Sequence, residues 1–188
     1  YWIYKRIKAS KGIYVLLENK SDYGKKTKTI ENMVDEGFEI SNISKKNDWP
    51  ISKINIKTGL PIDFQIITYG GMLSIGLKSL KVIFEEFELS GEIILPLEIS
   101  SFSEDLINYI VNEKRKKILF LHESTDCGDY MRTLHSKIVE ENPNIVETST
   151  FKFVCAKSSI IPSSADGEEK ILPTIDNIID VLEVAYDN

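Results

Sequence analysis

Strand-sized apolar runs are the feature that most constrains how this chain can fold. Each run is four to eight residues long, which is the usual length of a buried β-strand. None approaches the roughly 20 apolar residues of a membrane-spanning helix, so we expect no membrane partner. The predicted strands are residues 13–17, 51–56, 64–68, 92–99, 118–121 and 150–156.

Amphipathic helical patterns occur between several of these runs. The clearest begins at Ser74, a predicted N-cap, and ends before Gly91. Because the strands and helices follow no strict βαβ rhythm, we predict an α+β fold in which three to five helices pack on a mixed, largely antiparallel sheet. The length of 188 residues fits a single domain over residues 1–188, with a possible subdivision near 100–116. Further helices are predicted from Ser101 with Glu104 as a capping box, over 129–141, and from Thr174 onward.

Charge and composition narrow the functional class. The chain has 29 acidic and 23 basic side chains, a net charge of −6 and a pI of about 5.1. An acidic protein repels a phosphate backbone, so nucleic acid is not an expected partner. The first residues lack the charged-then-apolar order of a signal peptide, and two cysteines are too few for a disulfide framework. We therefore expect a cytoplasmic protein, and no motif indicates a cofactor.

The net charge is concentrated in the last 24 residues, which hold seven acids and one base. Asp176, Asp180, Glu183 and Asp187 recur at helical spacing, so they share one face of the last predicted helix. An acidic face on a docked helix can attract a basic protein partner, although it is also typical of a solvated surface. The candidate partner-binding residues are these four, with Glu85, Glu86 and Glu88 as a second acidic group.

One short stretch collects reactive side chains. Cys127 could act as a thiol nucleophile with His122 or His135 as its base and Asp126 or Asp129 orienting that base. This arrangement would make the protein a small cysteine-dependent hydrolase or transferase using the 122–135 loop. The same side chains could instead bind zinc, but their spacing fits no standard zinc pattern, so we predict no metal site. The third alternative is a polar loop that ends in an Asp129 helix cap and has no chemistry.

A resemblance to a known family comes from two segments. Residues 72–99 form a helix that ends in a short turn and leads into a strand with a Leu95-Pro96 step, and residues 58–64 precede that helix. Together they resemble small immunity proteins of bacterial polymorphic toxin systems. The resemblance implies a non-enzymatic cytoplasmic inhibitor that binds and neutralises one cognate toxin protein. It transfers no binding residues to this chain.

Overall fold

The computed structural model describes residues 2–19, 23, 29–45, 48–113, 115 and 117–183. Its helices are α1 (Trp2–Ala9), α2 (Ile30–Asp35), α3 (Leu73–Phe87), α4 (Glu104–Asn112), α5 (Tyr130–Glu141), α6 (Ile145–Thr148), α7 (Ala165–Glu169) and α8 (Ile175–Glu183). Its strands are β1 (Phe38–Asn42), β2 (Ile51–Ile56), β3 (Phe64–Thr68), β4 (Gly91–Pro96), β5 (Lys117–Leu121) and β6 (Thr150–Val154). Among the described residues, no helix has the length and apolar character that a membrane span requires.

The six strands form one mixed sheet in the order β1-β2-β4-β3-β5-β6. The predicted α+β fold and mixed sheet are confirmed. Antiparallel pairing is confined to the β1-β2-β4 end, whereas β4-β3, β3-β5 and β5-β6 are parallel. The expected predominance of antiparallel pairing therefore holds only for that end. The reason is that a helix lies between each pair of consecutive strands from β3 to β6 and returns the chain to the same edge of the sheet.

Apolar side chains cover both faces of the sheet. Neighbouring strand residues alternate between two separate cores, as Ile66 and Ile67 do, because successive side chains of a strand point to opposite faces. Helices α3 and α8 supply Leu80, Ile83 and Ile178 to the first core. Helices α4 and α5 supply the helical part of the second core, with Leu106, Ile107, Ile110, Met131, Leu134 and Ile138.

The helix boundaries differ in detail from the prediction. Met72 rather than Ser74 precedes α3, and no side chain caps this helix end. The helix stops at Glu88, whose φ of 57° is left-handed, so the chain has already turned before Gly91 begins β4. The N-cap of α4 is Ser103, whose hydroxyl accepts a hydrogen bond from the Asp105 amide at 3.2 Å.

Two strand predictions are wrong. Residues 13–17 form no strand, and Ile13 and Val15 are 99% and 83% exposed. An apolar run needs a neighbouring strand to satisfy its backbone, and none of the described strands pairs with this one. The proline at position 96 in the predicted strand 92–99 favours an edge position, but the strand lies between β2 and β3. The sheet accommodates Pro96 there because it is the last residue of the strand.

The number of helices also exceeds the predicted three to five, since the described residues contain eight. Five of these have eight residues or more, and the remaining three are shorter pieces of four to six residues. Short helices bury too little apolar surface to produce a clear helical pattern in a sequence.

Candidate functional site

The carboxyl edge of the sheet, at which β3, β4, β5 and β6 end, contains a topological switch point. The chain leaves β3 into α3 on one face, whereas it leaves β5 into α5 on the other. Since β3 and β5 are parallel neighbours, the two connections diverge and leave a crevice between them. Ligands of open sheets with parallel strands bind in such crevices.

A buried polar network lies at this point, on the α4 and α5 face. We call Tyr69, His122, Ser124 and Asp129 the Asp129 network. Asp129 Oδ2 accepts hydrogen bonds from the Ser124 hydroxyl and from the Tyr69 hydroxyl, the latter at 2.8 Å. Asp129 Oδ1 accepts the Met131 amide at 2.7 Å, which caps α5 as predicted. One carboxylate thus joins β3, β5 and α5.

The hydrogen bonds fix the tautomer of His122. Its Nδ1 lies 2.8 Å from Ser124 Oγ and 3.4 Å from Asp129 Oδ1. Ser124 has one proton, which it donates to the carboxylate, so Nδ1 of His122 must carry the proton that joins it to Ser124. The Nε2 atom is then an acceptor, and it is buried without a hydrogen-bond partner among the described residues.

Burial and hydrogen bonding set the charges of this network. Burial lowers the pKa of His122, an effect that Asp129 partly offsets and Arg132 reinforces. Burial alone would raise the pKa of Asp129, but the bonds from Ser124, the Met131 amide and Tyr69 outweigh it and lower that pKa. Near neutral pH the network therefore contains an ionised carboxylate and a neutral imidazole.

Gly70 and Gly71 lie at the start of the connection from β3 to α3, beside the switch point. Gly70 has a φ of 59°, in the left-handed region that glycine adopts most easily. A Cβ on Gly71 would collide with the Asn19 side chain and would lie 3.1 Å from Glu123 Oε2. The segment before residue 20 and the loop after β5 therefore approach the start of α3 closely.

A pocket of about 440 Å³ lies farther along the same edge. It is bounded by the start of β2, the end of β4 and the first residues of α4 and α5. Tyr130 connects the pocket to the Asp129 network, because its ring contacts Tyr69 edge-on with a centroid distance of 5.9 Å. Phe102 stacks on the same ring at 5.2 Å. The network thus supports one wall of the pocket.

The fold brings together only some of the side chains of the predicted thiol nucleophile site. His122 is close to Asp129, but Cys127 is exposed, and no hydrogen bond joins it to either histidine within the described residues. His135 packs against Phe120, Phe151 and Phe153, with ring centroids 4.8 to 5.9 Å away. In the described part of the chain, no group of three or more His, Cys, Asp or Glu side chains is placed to hold a metal ion.

The predicted acidic face lies on the other side of the sheet. Asp176 and Asp180 are exposed on α8, whereas Ile178 and Leu182 of the same helix are buried in the first core. Helix α8 contacts α3, whose C-terminal end carries the exposed side chains of Glu85, Glu86 and Glu88. The Glu183 side chain and the whole of Asp187 lie outside the described residues.

Sequence reasoning missed Tyr69, Ser124 and the role of Gly70-Gly71. The available signal was the alternation of strands and helices from residue 64 to 154, which predicts parallel pairing and a switch point after the first strand. No protein-family model and no curated protein matches this chain.

Proposed function

We propose that this protein binds a small polar molecule at the carboxyl edge of its sheet, in the pocket beside Tyr130. One observation carries the proposal: the Asp129 network is buried at the switch point and fixes the wall of that pocket. A buried carboxylate with only uncharged hydrogen-bond donors is costly, and such groups occur at functional sites more often than elsewhere.

The contacts suggest how the network serves binding. Asp129 holds the first turn of α5 against β3 and β5, and the next residue, Tyr130, lines the pocket. A binding wall held by several hydrogen bonds loses little conformational entropy when a ligand arrives. The volume of about 440 Å³ lies within the range of small-molecule sites.

A thermal-shift screen tests this proposal. The purified chain would be heated with nucleotides, sugar phosphates, amino acids and amines, and the melting temperature recorded for each. Tyr130→Phe keeps the aromatic ring beside the pocket and removes only the hydroxyl. Tyr109→Phe is the matched control, because Tyr109 lies at the amino edge of the parallel strands and its hydroxyl donates to Glu92. A ligand whose stabilising shift falls in Tyr130→Phe but persists in Tyr109→Phe supports the proposal. A screen without any stabilising ligand contradicts it.

A second candidate function is that of an immunity protein, which binds a basic toxin domain through the acidic face. The exposure of Asp176 and Asp180 favours it, together with the contact between α8 and α3, the helix that ends in the second acidic group. The segment with the resemblance to immunity proteins contains α3, one of the two helices concerned. Complementary charge would speed association, and apolar contacts would supply most of the affinity.

Charge reversal tests this second candidate. Asp176→Lys with Asp180→Lys should abolish salt-sensitive capture of a protein partner from native lysate, as read by mass spectrometry. Glu140→Lys with Glu147→Lys is the control, because it changes the charge equally at exposed positions of α5 and α6. Equal capture by both double variants would remove the acidic face from consideration.

A further inference from the structure

We infer that the ligand of this pocket is an organic cation, a guanidinium or alkylammonium group on an apolar body. The inference rests on the proposed binding function and names the ligand's chemical class. It depends on three independent properties of the lining: its excess of carboxylates, its aromatic walls and a buried hydroxyl.

The charge of the lining favours a cation. Lys45 and Asp105 neutralise each other through an ion pair of 3.2 Å, and the Lys45 amide also donates to Asp105 at 2.7 Å. Among the residues that the structure describes, the charged side chains that remain on the lining are Asp48, Glu98 and Glu104 against Arg6. A bound anion would face this carboxylate excess, whereas a cation would relieve the repulsion within it.

The N-terminal end of α4 is not expected to bind an anion. Ser103 already caps this helix, and Glu104 and Asp105 lie in its first turn. Acidic side chains at that position compensate the positive end of the helix dipole. The Asp105 amide, one of the peptide groups at a helix start that attract phosphates in other proteins, is therefore already bound within this chain.

Aromatic rings supply the second property. The guanidinium carbon of Arg6 lies 4.8 Å from the centroid of the Trp49 ring, so the pocket already contains a cation on an aromatic face. Tyr14 packs against the same indole at 5.9 Å. Cations bind to aromatic faces in this geometry, most strongly to tryptophan. A ligand cation would compete with Arg6 for Trp49.

The third property is the hydroxyl of Tyr130, which is buried and has no hydrogen-bond partner among the described residues. The Tyr130 side chain lines the same pocket as Glu98. Burial and the nearby Glu98 charge raise the pKa of Tyr130, so the hydroxyl stays protonated. Its oxygen can accept a hydrogen bond from the N–H of a bound ammonium or guanidinium. Such a bond would satisfy a polar group that is otherwise costly to bury.

Calorimetric titration with agmatine tests the inference, because agmatine carries a guanidinium and an ammonium on a four-carbon chain. Glu98→Gln with Glu104→Gln should weaken agmatine binding about tenfold, since two partly exposed charge contacts are lost. The control is Glu140→Gln with Glu147→Gln, which removes equal charge at exposed positions outside the lining. Raising the salt from about 20 to about 300 mM should weaken binding as well.

The Arg6→Ala variant shows whether Arg6 competes with the ligand for Trp49 or holds the pocket together. Removing the resident cation should tighten agmatine binding about threefold, since the face of Trp49 becomes available. A role of Arg6 in merely holding the pocket together would weaken binding instead. Urea unfolding midpoints of all variants show whether each one is folded.

The outcomes distinguish this inference from the proposed function. Agmatine binding that falls in the Glu98 and Glu104 variant supports both. Stabilisation by AMP or citrate that depends on the Tyr130 hydroxyl, without any agmatine binding, overturns the cation inference and leaves the pocket proposal standing. Failure of agmatine, AMP and citrate to bind overturns the cation inference, and failure of the whole thermal-shift panel overturns the binding proposal too.

Discussion

The two edges of the parallel strands each bury a carboxylate, and they do so differently. At the amino edge, Glu92 accepts hydrogen bonds from Gln65 at 2.9 Å and Tyr109 at 2.9 Å, and Arg115 lies 3.3 Å away. We call these four residues the Glu92 network. At the carboxyl edge, Asp129 is surrounded by uncharged donors and a neutral histidine. The amino edge thus neutralises its buried charge internally, whereas the carboxyl edge does not.

This difference distinguishes a carboxylate that is buried to stabilise the fold from one that is buried at a binding site. An ion pair with extra hydrogen bonds neutralises the buried carboxylate and specifies how the elements meet. A carboxylate held by hydroxyls and a backbone amide keeps its net negative charge. Among the described residues each network has one buried atom without a hydrogen-bond partner, Gln65 Oε1 or His122 Nε2, so the two networks differ in charge. The first arrangement is expected of a scaffold and the second of a site.

The largest effect should follow Glu92→Ala. The variant removes the buried acceptor of Gln65 and Tyr109 and leaves Arg115 paired with Glu113, at 2.7 Å. The loss of these contacts should cost about 3–5 kcal/mol in the free energy of unfolding. Urea denaturation monitored by circular dichroism measures it. A loss below about 1 kcal/mol would show that the pair is open to water and that the amino edge is not the scaffold we describe.

Asp129→Ala should cost about 2–4 kcal/mol, because it removes the α5 cap and the acceptor for Ser124 and Tyr69. In contrast to Glu92→Ala, it should also weaken ligand binding in the fraction that remains folded. Asp129→Asn keeps one oxygen acceptor, so its loss of stability should be smaller. Equal ligand affinity in all three variants would contradict a role of the Asp129 network in binding.

A matched tyrosine pair sharpens the comparison further. Tyr69→Phe and Tyr109→Phe each remove one hydroxyl that donates to a carboxylate, at 2.8 and 2.9 Å. Both should lose about 1.5–3 kcal/mol of stability, the usual value for a hydrogen bond to a charged group. Only Tyr69→Phe should change the affinity for the pocket ligand, as measured by calorimetry. A parallel loss of affinity in Tyr109→Phe would erase the distinction between the edges.

The smallest effect should be a pH dependence that originates at the carboxyl edge. Burial keeps the pKa of His122 below its usual value, so the unfolded chain takes up a proton near pH 6.5 before the folded chain does. The free energy of unfolding should therefore fall as the pH is lowered from about 7.5 through 6.5, and stop falling below the folded pKa. Urea titrations at several pH values measure this slope.

Variants assign the slope to residues. His122→Asn should reduce it, and His135→Asn should reduce it as well, because burial also lowers the pKa of His135. Tyr109→Phe should leave it unchanged, since the Glu92 network contains no histidine. An undiminished slope in the His122→Asn and His135→Asn double variant would place its origin elsewhere.

Local patterns were sufficient to predict individual elements. Strands β2, β3 and β5 were predicted because their apolar residues are contiguous or recur at short spacing. The α5 cap at Asp129 and the α8 cap at Thr174 were predicted because a cap acts within three residues of itself. Strand β1 was missed because Phe38 is its only buried residue.

Relations between distant residues were not predictable in the same way. Parallel pairing depends on where each helix returns the chain, and the boundaries of α3 and α4 were displaced by one or two residues. At the candidate site, His122 and Asp129 stood out because reactive residue types cluster around them. Tyr69 did not, because it is 60 positions from Asp129 and its local sequence indicates only a turn.

The central pairing of β3 with β5 has a consequence for how the protein reaches its native state. These strands are joined through the Thr68 hydroxyl, which donates to the Leu121 carbonyl across 53 positions at 2.9 Å. The intervening chain must close a long loop, an entropic cost that only native packing repays. Intermediates that contain α3 and β4 alone therefore lack the Asp129 network, which supports the wall of the pocket. Recovery of ligand binding in a refolding experiment would then report a late stage of folding.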